Sequence, residues 1–105
     1  MIARMWRGAT RVSDAEAYLE YLDRTGHAEY GRVEGHLRTV TLRRLSADRA
    51  EFVVLSFWRS FDAIRQFAGS DVERAVFYPE DDRYLVEREE RVAHFDVVYD
   101  SRDQS

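Results

Sequence analysis

The stretch FVVLSFW, Phe52 to Trp58, is the strongest constraint on how this chain folds. It is almost continuously apolar yet too short for a membrane span, which needs about 18 residues or more. It reads as a strand buried on both faces. With alternation of period two, Phe52, Val54, Ser56 and Trp58 share one face, and Val53, Leu55 and Phe57 the other. A chain of 105 residues must therefore find cover for two sides of one sheet.

The flanking sequence supplies cover for one side. Residues 2–9, with Ile2, Met5 and Trp6, read as a first strand. Ser13 and Glu16 have the spacing of a capping box. Ala15, Tyr18, Leu19 and Leu22 then place an apolar stripe on one helical face, with Gly26 as the stop. His36–Leu45 reads as a half-solvated strand and Ser46–Arg49 as a turn. Ser60 caps a second helix carrying Phe61, Ile64, Phe67 and Ala68, which Gly69 ends. Ser70 and Glu73 form a second capping-box pattern, predicting a short helix through Val76 that Pro79 stops; Glu80–Leu85 adds one turn. Arg91–Tyr99 is the last strand. Residues 1–100 form one domain and 101–105 a polar tail.

The order β-α-β-β-α-β is the split arrangement of an α+β, ferredoxin-like fold with an antiparallel four-stranded sheet. Two helical segments cover one sheet face. A second copy of the same sheet is the economical cover for the other, so the sequence predicts a homodimer packed face to face.

Composition closes off several chemistries. The chain has no Cys, Lys or Asn, and all 16 of its basic residues are Arg. Thiolate ligands, cysteine nucleophiles and Schiff bases are thereby excluded. A net charge of -4 argues against non-specific nucleic-acid binding. The spacing of His27 and His36 matches no metal signature. Neither a membrane span nor a signal peptide is read, and the expected location is the cytoplasm.

The segment LSFWRSFDAIRQFAGSDVERAVFYPEDDRYL, followed by VAHFDVV, resembles the antibiotic biosynthesis monooxygenase-like family of dimeric α/β barrels. Trp58, Ser60, the helix over 63–67 and the pair His94–Phe95 carry the likeness, which extends over nearly the whole chain. It implies a homodimeric barrel. It also implies a cofactor-free, metal-free monooxygenase acting on a small aromatic or polyketide-type molecule, such as a quinol or anthrone. A deprotonated electron-rich phenol reduces oxygen itself, so the protein supplies a dry aromatic pocket, a base and an anion-stabilising group. A ligand-binding barrel, and a cyclase or isomerase, would use the same pocket. The family's haem-degrading branch uses an Asn-Trp-His set; here Asn is absent, and Phe67 and Phe77 stand at the Trp and His positions. In the anthrone branch the strand Asn and helix Tyr correspond to Val54 and Ile64.

The candidates follow. His94, sharing a strand face with Asp96, is expected as base, and Trp58 as pocket wall and indole donor, against a purely core role for each. Arg4, on the Trp6 face, and Arg7, on the opposite one, each suit an anionic ligand or a dimer-rim ion pair, and Arg7 is the expected anion partner. Tyr78, Phe67, Phe77, Tyr18 and Trp6 are expected to line the substrate pocket. His27, Tyr30 and His36 read as solvated loop residues sooner than as a pocket mouth, and Glu80–Asp82 as a solvated acidic turn, with residues 78–82 as a lid the alternative.

Overall fold

A computed structural model describes residues 1–103. Strand β1 (Ile2–Arg11) runs into a 3-10 turn over Val12–Asp14, then α1 (Ala15–Arg24) and α2 (Gly26–Tyr30). The hairpin β2 (His36–Ser46) and β3 (Arg49–Trp58) leads to α3 (Phe61–Ala68). A long irregular segment reaches α4 (Asp81–Tyr84), β4 (Leu85–Arg88) and β5 (Ala93–Asp96). The sheet is antiparallel throughout, in the order β2-β3-β1-β4, with β5 also paired to β1. This is the predicted ferredoxin-like α+β fold, with the fourth sheet position shared by two short strands. β4 pairs with residues 8–10 of β1 and β5 with residues 2–5.

Alternation along β3 divides the sheet. Ala50, Phe52, Val54, Ser56 and Trp58 are buried beneath the helices, whereas Val53, Leu55 and Phe57 are only half-buried. The expectation of burial on both faces therefore holds for one face of the single chain. The register aligns Ala3, Met5, Val40, Leu42 and Phe95 with the second face. Leu42 is 48% exposed and Phe95 53%.

Helix α3 is capped as expected: Ser60 Oγ accepts from Ala63 N at 3.2 Å, and Gly69, at φ 89°, ends the helix. Its Ile64 is fully buried against Ile2, Tyr30, Val54 and Trp58. Gly35, at φ 93°, lets the β2 entry pass α3, since a Cβ there would lie 2.7 Å from Ala63 Cβ.

Several local expectations are corrected. No capping bond from Ser13 forms; the 3-10 turn takes its place, and Asp14 occupies the cap position. Gly26 opens α2 instead of stopping α1. The helix expected after Ser70 is absent because its backbone is engaged at long range: Ala75 N donates to Glu90 O and Val92 N to Glu73 O. The last strand covers residues 93–96 instead of 91–99, and β4 was not foreseen. In the tail, Ser101–Asp103 forms a 3-10 turn, while Gln104 and Ser105 lie outside the described residues. No helix is long and apolar enough to cross a membrane among the described residues.

Candidate functional site

The pleat of β1 sends Arg4 and Trp6 to the helix-covered face, beside Val54 of β3. Helices α1 and α2 close over them with Tyr18, Leu22, His27 and Tyr30, and Phe67 of α3 adds an edge. Val76, Phe77 and Tyr78 from the irregular segment, with Asp81 and Val92, complete the lining. The cavity they enclose is small, about 50 Å³. A bicyclic aromatic therefore enters only with side-chain movement in this lining.

Arg4 gives the site its electrostatic character. It is 3% exposed, and its guanidinium donates to the carbonyl oxygens of Val72 and Arg74 and to His94 Nε2. No carboxylate pairs with it among the described residues. Burial pushes its pKa below the usual arginine value, with Tyr30 acting in the opposite sense. Of the five N–H donors of a guanidinium, three are used. A buried cation without a counter-ion beside an apolar cavity favours an anionic ligand. At the other side Asp81, 5% exposed, accepts from Tyr78 N at 2.6 Å, and burial raises its carboxyl pKa. Burial likewise raises the phenol pKa values of Tyr18, Tyr30 and Tyr78, keeping them neutral.

Of the residues expected around the substrate, Trp6, Tyr18, Phe67, Phe77 and Tyr78 line this one cavity. Trp58 does not. It is fully buried one layer behind, against Tyr30 and Phe67, and its indole N–H donates to Ser56 Oγ at 2.8 Å. Arg7 lies on the opposite sheet face, across from Val53, so it does not reach the cavity. His94 also stands outside the lining, behind Arg4. Because a guanidinium can only donate, His94 Nε2 accepts and its proton sits on Nδ1. Burial first, then the Arg4 charge, lowers the His94 pKa. Asp96 shares its face but is exposed.

Arg4, His27, Tyr30 and Asp81 line the cavity although sequence reasoning did not favour them for the site. Arg4 and Arg7 were both readable as partners of an anion, and the structure puts Arg4 at the cavity and Arg7 on the other face. Asp81 was hidden in an acidic run that looked solvated. His27 looked like a loop residue but sits in α2, lining the cavity, with Asp23 Oδ1 at 2.6 Å from Nδ1 and Thr41 Oγ1 at 2.7 Å from Nε2. His36 and Tyr30, also read as loop residues, stack at 5.4 Å against Trp58. No three of His, Asp or Glu cluster as metal ligands would among the described residues.

No family model and no curated protein sequence matches the chain. Solved structures do. One is described as an antibiotic biosynthesis monooxygenase from Bacillus cereus (TM-score 0.66, 15% identity, 94% of each chain covered). Another is SnoaB, a cofactor-independent oxygenase from Streptomyces nogalater (TM-score 0.61, 16% identity, 94% of this chain and 95% of that one). A third is the haem-degrader MhuD from Mycobacterium tuberculosis, solved with two haems in its active site (TM-score 0.55, 19% identity, 95% and 98%). At these identities the likeness speaks for the fold, and it agrees with the resemblance read from residues 55–98. The chain has the ferredoxin-like fold of the antibiotic biosynthesis monooxygenase structures.

Proposed function

We propose that this protein is a cofactor-independent monooxygenase of small phenolic or anthrone-like aromatics, working as a homodimer through its open sheet face. The observation that carries the reading is Arg4: a buried guanidinium without a carboxylate partner, set in a cavity walled by Trp6, Tyr30 and Phe67. Such a site stabilises an aromatic oxyanion and excludes water from it. Once ionised, the substrate gives one electron to O2, and the resulting radical and superoxide combine through a C–O bond. Protonation of the peroxide and loss of the geminal hydrogen expel water and leave a carbonyl. One oxygen atom thus enters the product and the other leaves as water. The fold likeness to SnoaB supports this reading.

The test is oxygen uptake with a panel of dihydroxynaphthalenes and anthrones, without added metal or flavin. Uptake with quinone formation is expected. Thermal stabilisation by these ligands without uptake would make the protein a binding barrel, and anaerobic product formation would make it a cyclase or isomerase.

A further inference from the structure

A cavity that ionises a phenol needs a proton acceptor, and His94 does not line it. Two lining side chains could take a proton, His27 and Asp81. Asp81 Oδ2 accepts from the Tyr78 N–H at 2.6 Å, and because a carboxylate keeps further lone pairs Asp81 is the competing acceptor, tested beside His27 below. His27 is arranged differently. A carboxylate only accepts, so Nδ1–H donates to Asp23 Oδ1 at 2.6 Å, which leaves the lone pair on Nε2. That lone pair faces the Thr41 hydroxyl at 2.7 Å. Asp23 is the i−4 residue on α1, and Thr41 is on β2, so the imidazole is held from both sides.

We propose that His27 accepts the phenolic proton of the bound aromatic, with Asp23 and Thr41 as its positioning residues. The substrate hydroxyl takes over the lone pair that Thr41 donates to, and the O–H bond breaks as an Nε2–H bond forms. The imidazolium remains satisfied, because Nδ1–H stays on Asp23 and the new Nε2–H donates to the phenolate oxygen or, once that has turned to Arg4, to Thr41 Oγ1, which accepts as well as donates. A carboxylate that orients an imidazole and stabilises its protonated form is the recurring way such a base is built. Asp23, with its side chain 68% exposed, also gives the proton an exit to solvent. Asp23 from α1 contacts the imidazole, and the charged and titratable groups that share the cavity with it are Tyr18 from α1, Tyr30 from α2, Tyr78, Asp81 from α4 and Arg4 from β1. Arg4 would hold the phenolate that results. This assignment deepens the oxygenase reading by naming its base, and it can fail separately.

The experiment reads the ionisation of a bound naphthol by its absorbance and fluorescence, which needs no turnover. At pH values where the free naphthol is neutral, the wild-type protein is expected to bind it as naphtholate. His27→Gln is expected to bind it neutral, and Asp23→Asn, a substitution at an exposed site, to lower the ionised fraction severalfold. With oxidisable substrates, His27→Gln should slow uptake about 100-fold or more for weakly acidic phenols and only severalfold for phenols already ionised in solution. Equal losses for both substrate types, or an ionised naphthol in His27→Gln, would overturn the assignment. Selective loss in Asp81→Asn instead would move the role to Asp81. Ionised binding without any oxygen uptake would keep His27 as acceptor while refuting the oxygenase reading.

Discussion

Replacing Arg4 by Met separates the two things a buried guanidinium can do, clamp a loop or hold an anion. Three hydrogen bonds disappear, from the guanidinium to Val72 O, Arg74 O and His94 Nε2. At about 1.5–3 kcal/mol each for bonds made by a charged group, this removes roughly 4.5–9 kcal/mol. Against it stands the desolvation cost of a buried charge lacking an ionic partner, which is several kcal/mol and also disappears. The two partly offset, so the folded state should lose only part of this sum, visible as a drop in Tm. Ligand binding should respond far more selectively. A charge-assisted hydrogen bond contributes about 1.5–3 kcal/mol, so an anionic aromatic should bind about 10- to 150-fold more weakly. Its methyl ether, equal in shape and without charge, should change less than about threefold. Fluorescence titration of both ligands against both proteins is the assay. Equal weakening of the two, or of neither, in a folded variant would show that Arg4 only ties down the segment around Val72 and Arg74.

Ile64→Ala empties a fully buried site between β3 and α3 and should cost about 2–5 kcal/mol in urea denaturation. Gly8→Ala places a Cβ inside the Trp6 ring position, so Trp6 must swing out and its 3.0 Å bond to Glu89 O must break. Altered tryptophan fluorescence and weaker aromatic binding should follow. Leu55→Asp, on the half-buried sheet face, should turn a dimeric mass in light scattering into a monomeric one. A monomeric wild type at micromolar concentration would sink the dimer. His36 and His94 both lie below the usual 6.5, chiefly through burial. The unfolded chain therefore binds more protons than the native one, so stability is full above about pH 6.5 and declines as pH falls. The double substitution His36→Gln, His94→Gln should flatten this decline in Tm measured from pH 7.5 to 5.

The sheet and α3 were legible because their signals are local. Alternation in residues 52–58, the Ser60 cap and the Gly69 stop lie within a few residues of what they control. The segment 70–79 misled for the opposite reason. Its capping-box pattern favours a helix, but the Val72 and Arg74 carbonyls are taken by Arg4, from the far end of the chain, and the backbone pairs with residues 90–92. The aromatic lining was readable, since Tyr18, Phe67, Phe77 and Tyr78 follow helix faces or flank the one proline. The polar groups were not. His94 and Asp96 share a strand face as alternation requires, yet β1–β5 pairing sets His94 opposite Arg4 and behind it. The Asp23–His27 pair was available as an i, i+4 spacing, whereas Thr41, 14 residues on, joins them only through the packing of β2 against α2.

Turnover under 18O2 tests the central claim most directly. Mass spectrometry of the quinone formed from an anthrone should show one oxygen atom from 18O2 per product molecule, with one O2 consumed and no added cofactor. A product whose new oxygen comes from water, or no oxidised product from any phenol that binds beside Arg4, would contradict the account.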